Sequence, residues 1–258
     1  RAEMAAAERK VSPGFLRALA HAERNIRRVA ERQRPRDWTI KVEPGVRVGQ
    51  MVRPLASVGC YVPGGRHALV SSLLMTVIPA QVAGVRRIVV ACPRPSAEIL
   101  AASARLRVGA LARVGGAQAI AALAYGTASV EPVDKIVGPG NRYVTAAKRL
   151  VSADREIDFP AGPTEVLVLA VSGDPRFIAA DLLAQAEHDA DAIALLVTTS
   201  SRLAREVSAE VELQLAALPK TNPARRAIAR NGAALVARSL DSAIAFTNRL
   251  APEHLALP

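Results

Sequence analysis

The chain has 258 residues, 34 Lys and Arg against 23 Asp and Glu, and a formal charge of +11. Half of the residues are hydrophobic but only 3% are aromatic, so the core must be built from Ala, Val, Leu and Ile, the material of helix-covered parallel sheets. No apolar stretch approaches the roughly 20 residues of a membrane span, and "RAEMAAAERK" at the start holds no apolar signal segment, so a cytoplasmic protein is expected.

Residues 1–35 read as amphipathic helix, with Phe15, Leu16 and Leu19 in one apolar patch and Ile26 and Val29 continuing the spacing. "RPRDW" breaks that pattern, "WTIKVE" at 38–43 alternates as a strand does, and Pro44-Gly45 turns the chain. From about residue 57 runs of β-branched residues alternate with Ala-rich stretches. Strands are predicted at 86–91, 111–114, 134–137, 165–171, 193–199 and 233–237, and helices at 96–107, 117–125, 142–152, 175–188, 201–217 and 240–250. Such alternation means βαβ units and parallel sheets. Breaks at "VPGG" (62–65) and "FPAGPT" (159–164) suggest domain boundaries.

Arginine is scattered through the helical stretches, mixed with Glu, and no aromatic residues interleave with it. The +11 charge therefore reads as a solvated basic surface and not as a nucleic-acid site. Cys60 and Cys92 lie far apart with no CxxC. They are expected as free core thiols, and a cysteine-built zinc site is excluded.

Four stretches have the residue types of chemistry. In "DPRFIAADLLAQAEHD" (174–189), Asp174 suits the cap of a helix and Pro175 its first position. At 100° per residue Ile178, Leu182 and Gln185 share a line, and His188 neighbours Gln185 three residues on. That spacing lets two side chains ligate one metal; it equally describes a capped histidine at a helix end. In "APEHL" (251–255) a carboxylate and an imidazole are adjacent, a pair suited to acid–base work if the backbone turns there. "RVGGAQAIAALAYG" (113–126) and "DKIVGPGNRYVTAAKRL" (134–150) are strand–glycine–helix turns whose backbone N–H groups can receive phosphate. The strict GxGxxG pattern is missing from both, and ordinary βα turns also contain glycine. In "GCYVPGG" (59–65), Tyr61 precedes a glycine pair, as a turn between domains or as a ring beside a cofactor.

Together and in this order, "YVPGG", "IPAQVAGV", "RVGGAQAIAALAYGT", "KIVGPGNRYV", "AGPTEVLV", "LLAQAEHD" and "APEHL" resemble the histidinol dehydrogenase family over nearly the whole chain. The resemblance implies oxidation of L-histidinol to L-histidine with two NAD molecules through a bound aldehyde, zinc holding the substrate. Gln185 and His188 match zinc and substrate ligands. Glu253 matches the residue that activates water for the second oxidation, and His254 the general base of the first and a substrate contact. Tyr61, Gln118 and Asn141 match NAD contacts. Thr164 matches a substrate-contacting position that is usually Ser.

The implied fold is two incomplete Rossmann-like domains, one inserted in the other. Residues 1–60 plus 164–258 would form the zinc and substrate domain and 61–163 the NAD domain, with the active site in the cleft between. A homodimer is implied as well.

The departures from the family pattern are few. Val70 stands where the family has Pro, in a loop where His67 is expected to be solvated. The family's further ligands, an aspartate and a histidine from the partner subunit, match no residue before Pro258. Two ligands alone imply weak zinc affinity and little turnover. Two alternatives share the pattern. One is a dehydrogenase of another small alcohol such as a sulfonated diol, with which Arg66 is compatible; the other is a non-catalytic nucleotide-binding homologue.

Overall fold

The computed structural model describes residues 2–64, 69–159 and 164–258, which fall into two compact units, 1–161 and 162–258. Arg66 and His67 lie outside the described residues.

The first unit opens with α1 (Ala2–Ala7), a 3-10 turn and α2 (Pro13–Gln33). Ser12 caps α2 by accepting from the Phe15 N–H, and Pro13 occupies the first turn, where its missing donor costs nothing. The hairpin β1 (Trp38–Glu43) and β2 (Val46–Gln50) follows. The pairs Trp38↔Gln50 and Ile40↔Val48 place Trp38, Ile40, Val42, Val46 and Val48 on one face, each 47 to 53% exposed.

The rest of the unit is wound around one parallel sheet. Its elements are β3 (Ser57–Tyr61), α3 (Val70–Ala83), β4 (Arg87–Ala91), α4 (Ala97–Arg105), β5 (Ala110–Ala112), α5 (Gly116–Tyr125), β6 (Lys135–Val137), α6 (Arg142–Val151) and β7 (Glu156–Ile157). The strand order is β5-β4-β3-β6-β7. Alternation sends Val58, Cys60 and Val90 into a core with α2, α3 and α4, and Tyr61, Val89 and Ala91 into a second core with α5 and α6.

Helix α3 is not expected from its sequence, because "VSSLLMTVIPAQVA" is apolar nearly all round and contains Pro79. A helix buried on most sides carries no polar stripe. Gly84, in the left-handed region at φ 87°, ends it.

Residues 1–60 were expected to join the C-terminal unit. Here α1 packs on α4, α2 packs on α3, and β3 is the central strand of the first sheet. The physical reason is Leu19 and the apolar patch around it, which fill the space over Val77, Ile78 and their neighbours in the α3 core. The break near 159–164 does coincide with the boundary between units.

The second unit contains β8 (Glu165–Leu169), α7 (Pro175–Ala186), β9 (Ile193–Thr198), α8 (Ser201–Ala217), α9 (Ala224–Asn231), β10 (Gly232–Val236), α10 (Leu240–Leu250) and β11 (His254–Ala256). The sheet is parallel, ordered β10-β9-β8-β11. Val166, Val168, Ala194 and Leu196 meet α7, α8 and α9 on one face, while Leu167 and Val197 meet Ala243 of α10 on the other. The fold is therefore α/β with parallel sheets flanked by helices, as expected. Among the described residues no helix is long and apolar enough to cross a membrane.

Both cysteines are free and buried, as expected. Burial pushes the Cys60 thiol up to about 12, against a weaker opposing hydrogen bond with Thr76. Burial also raises Cys92. At pH 8 a thiol titrating at about 12 is ionised to about one part in ten thousand, and the thiolate is the reactive form. The folded chain should therefore resist a disulfide reagent at pH 8 and take up two equivalents once urea unfolds it. Rapid labelling of the native chain would show that these thiols are not in the core.

Candidate active site

In the first unit the strand order reverses between β3 and β6, and the carboxyl ends of that strand pair are where ligands of open parallel sheets bind. Tyr61 is the last residue of β3, and the turn 138–141 follows β6. Tyr61 is only 4% exposed, and its hydroxyl accepts from the Gly116 N–H at 3.1 Å. It thus braces the glycine turn that opens α5. Its backbone braces the other turn: a Cβ on Gly138 would lie 2.1 Å from the Tyr61 carbonyl oxygen, and Gly138 has φ 119°. Only glycine suits that position.

Gln118 is exposed on the first turn of α5. Asn141 caps α6, its Oδ1 accepting from the N–H groups of Tyr143 and Val144 at 3.0 and 3.1 Å. The three residues matched to NAD contacts therefore belong to adjoining features of one sheet: the end of β3 and the starts of α5 and α6, two helices that pack on each other. Two helix N-termini with glycine before them present backbone donors and positive dipole ends, the features that receive phosphate.

In the second unit the strand order reverses between β8 and β11, yet the candidate residues gather at the opposite, amino-terminal edge. Thr164 immediately precedes β8, Glu253 immediately precedes β11, and His254 is its first residue, paired with Val166. Gln185 sits in the last turn of α7. His188 lies just past that helix, its N–H donating to the Gln185 carbonyl at 3.1 Å.

Side-chain contacts tie this edge together. Gln185 Nε2 donates to Thr164 Oγ1. That bond leaves the amide oxygen, the end that can ligate a metal, facing away from Thr164. The Glu165 N–H donates to Glu253 Oε2 at 3.3 Å, and Glu253 Oε1 lies 3.9 Å from His254 Nε2. The backbone does turn before the pair: Ala251 is left-handed at φ 50°. That turn sets how the segment enters β11, and the ends of the two adjacent side chains come together at 3.9 Å.

Glu187 and Asp189 face elsewhere. Glu187 accepts from Asn222 Nδ2 at 2.7 Å, and Asp189 accepts from the Asp191 N–H. Asp174 caps α7 as expected, and its hydrogen bonds with Arg176 hold its carboxyl down at about 2.

Among the described residues no three His, Cys, Asp or Glu side chains are grouped to hold a metal. Gln185 and His188 offer one oxygen and one imidazole nitrogen, which suit zinc as two of four ligands. Two residues, one in each unit, were missed in the sequence. Glu165 contributes only its backbone N–H, which no side-chain pattern reveals. Lys148 lies in the basic last turn of α6 and reads as solvent-facing, but is buried.

Two parallel-sheet units, with glycine turns at the carboxyl ends of the first and a carboxylate–imidazole pair in the second, define a Rossmann-like α/β protein. The chain belongs to the histidinol dehydrogenase family, whose model matches residues 1–258. It is 47% identical over 265 aligned positions to the histidinol dehydrogenase of Methanothermobacter thermautotrophicus, covering 100% of this chain and 62% of that protein. To that of Halalkalibacterium halodurans it is 51% identical over 260 positions, covering 98% and 61%. The crystal structure of histidinol dehydrogenase from Elizabethkingia anophelis superposes with a TM-score of 0.94 at 39% identity, covering 99% of this chain and 60% of that one. The chain thus spans about three-fifths of the length of these relatives.

Tyr61→Phe keeps the buried ring and removes the acceptor of the Gly116 N–H. It should lower stability by about 0.5–1.5 kcal/mol, the usual net worth of an intramolecular hydrogen bond, read from the urea midpoint. An unchanged midpoint would mean that the hydroxyl does not brace the turn.

Proposed function

We propose that this chain carries out the NAD-dependent oxidation of L-histidinol to L-histidine, the last step of histidine biosynthesis, with zinc at Gln185 and His188. The observation that carries the reading is the amino-terminal edge of the second sheet. There Gln185 is oriented by Thr164, and the Glu253–His254 pair is held by the neighbouring Glu165 N–H. Family membership supports it.

When bound, zinc supplies a Lewis-acidic anchor for the substrate's imidazole and amine, and NAD supplies the acceptor for each pair of electrons. The chain's own residues do the proton work. His254 takes the proton of the alcohol oxygen as the carbon is oxidised, and later that of the aldehyde hydrate's hydroxyl in the second oxidation. Glu253, on the same side of the strand start, orients and deprotonates water for addition to the bound aldehyde. Thr164 orients the Gln185 amide and presents its hydroxyl to the substrate. Tyr61, Gln118 and Asn141 shape the nucleotide site, Tyr61 through the two turns it braces. A homodimer and a cytoplasmic location accompany this reading as further proposals.

The direct test mixes the chain, in excess of L-histidinol, with NAD and zinc, so that slow conversion is still read as NADH absorbance. Two NADH per histidinol are expected. His254→Asn should slow the first oxidation at least about 100-fold. Glu253→Gln should leave that step and stop near one NADH per histidinol. Binding of NAD and zinc with no histidinol-dependent NADH would overturn the proposed substrate.

Thr164→Ala should weaken zinc binding about 10- to 100-fold, the range for lost outer-shell partners, and Thr164→Ser should restore it. Equal zinc affinity in all three proteins, by calorimetry, would remove Thr164 from that role.

A further inference from the structure

Lys148 is 3% exposed, and such burial of an ammonium group is costly unless it is paired. It lies on α6, seven residues after the Asn141 cap. Its Nζ donates to the Gly138 carbonyl at 3.0 Å and to Asp158 Oδ1. Asp158 Oδ2 in turn accepts from the Gly138 N–H at 2.8 Å, and Oδ1 accepts from the Phe159 N–H at 2.7 Å. The Phe159 ring covers the ammonium group at 5.8 Å. One ion pair therefore holds both backbone polar groups of one glycine.

That glycine is the residue whose φ is 119° and whose other side abuts the Tyr61 carbonyl. The peptide groups flanking Gly138 are thus held by the ion pair and confined by β3. Three residues on, Asn141 fastens the end of the same turn to the first turn of α6. Stability alone does not call for this arrangement, because a well-packed apolar pair replaces a buried ion pair at little or no loss. An apolar pair cannot bond the N–H and C=O of Gly138.

We propose that Lys148 and Asp158 are positioning residues that fix the Gly138–Asn141 turn in its nucleotide-receiving shape and thereby set the affinity for NAD. This rests on the proposed NAD site. Neither residue needs to touch the nucleotide: the Lys148 ammonium is buried and committed to Gly138 and Asp158.

The test measures NAD binding by calorimetry for the wild-type chain, the double variant Lys148→Met/Asp158→Leu and the single variant Asp158→Asn. The double variant removes both charges and strands neither. It should keep a cooperative urea transition and unchanged zinc binding, yet bind NAD about tenfold or more weakly, as expected when a turn loses its alignment. Asp158→Asn preserves size and should show a smaller loss, still greater than twofold. Double and single variants that fold and bind NAD within twofold of wild type would overturn the inference while leaving the NAD site standing. If the double variant does not fold, Asp158→Asn decides alone by the same criterion. A wild-type chain that binds no NAD would overturn the nucleotide reading and this inference with it.

Discussion

The carbonyl of Tyr61 leaves no space for a side chain at residue 138. Much of the first unit is arranged around that close approach. It lets the turn after β6 pass directly over the end of the neighbouring strand, so the start of α6 lies near the start of α5. It requires a glycine in a conformation that L side chains rarely adopt. The Tyr61 side chain then uses its far end on the other glycine turn through Gly116. A single tyrosine thus sets two backbone turns, one with its main chain and one with its hydroxyl. The two glycine turns of the sequence are parts of one feature.

Much of this was legible beforehand because parallel sheets write themselves plainly. The runs expected as strands at 86–91, 165–171 and 193–199 are strands at 87–91, 165–169 and 193–198, and Asp174 caps the helix it was expected to cap. What stayed hidden has physical causes. Helix α3 is surrounded by apolar neighbours, so its sequence lacks a periodic polar face. The short strand β11 gains its identity from pairing with β8, not from its own propensity. The placement of residues 1–60 depends on which sheet offers Leu19 a partner, and local sequence does not encode that. At the candidate site the helical spacing places Gln185 in the last turn of α7, whereas His188, expected on the same helix, lies beyond its end at Ala186. The partners of Gln185 and Glu253 could not be read, since Thr164 is 21 residues from Gln185 and the Glu165 contribution to Glu253 is a main-chain N–H.

The two units share a winding rule but use opposite edges of their sheets. In the first, the glycine turns stand at the carboxyl ends, where helix N-termini face outward and favour anions. In the second, the polar side chains stand at the amino-terminal edge, reached by the C-terminal end of α7 and the loop into β11. The C-terminal end of a helix carries the negative end of its dipole, which favours cations. The polarity of each edge thus agrees with the chemistry proposed for it: a phosphate-bearing ligand at one and a metal with a cationic substrate at the other.

Residues 164 and 165 hold both parts of the second edge, Thr164 through its hydroxyl to Gln185 and Glu165 through its N–H to Glu253. The two anchor points lie on successive residues, the Glu165 N–H in the linking peptide plane and the Thr164 hydroxyl one side-chain torsion away from it. The ligand-bearing amide and the acid–base carboxylate are therefore both held from one two-residue segment at the start of β8. One short stretch of backbone is thus the common origin of both halves of the edge, and a change that displaced it would disturb the two together.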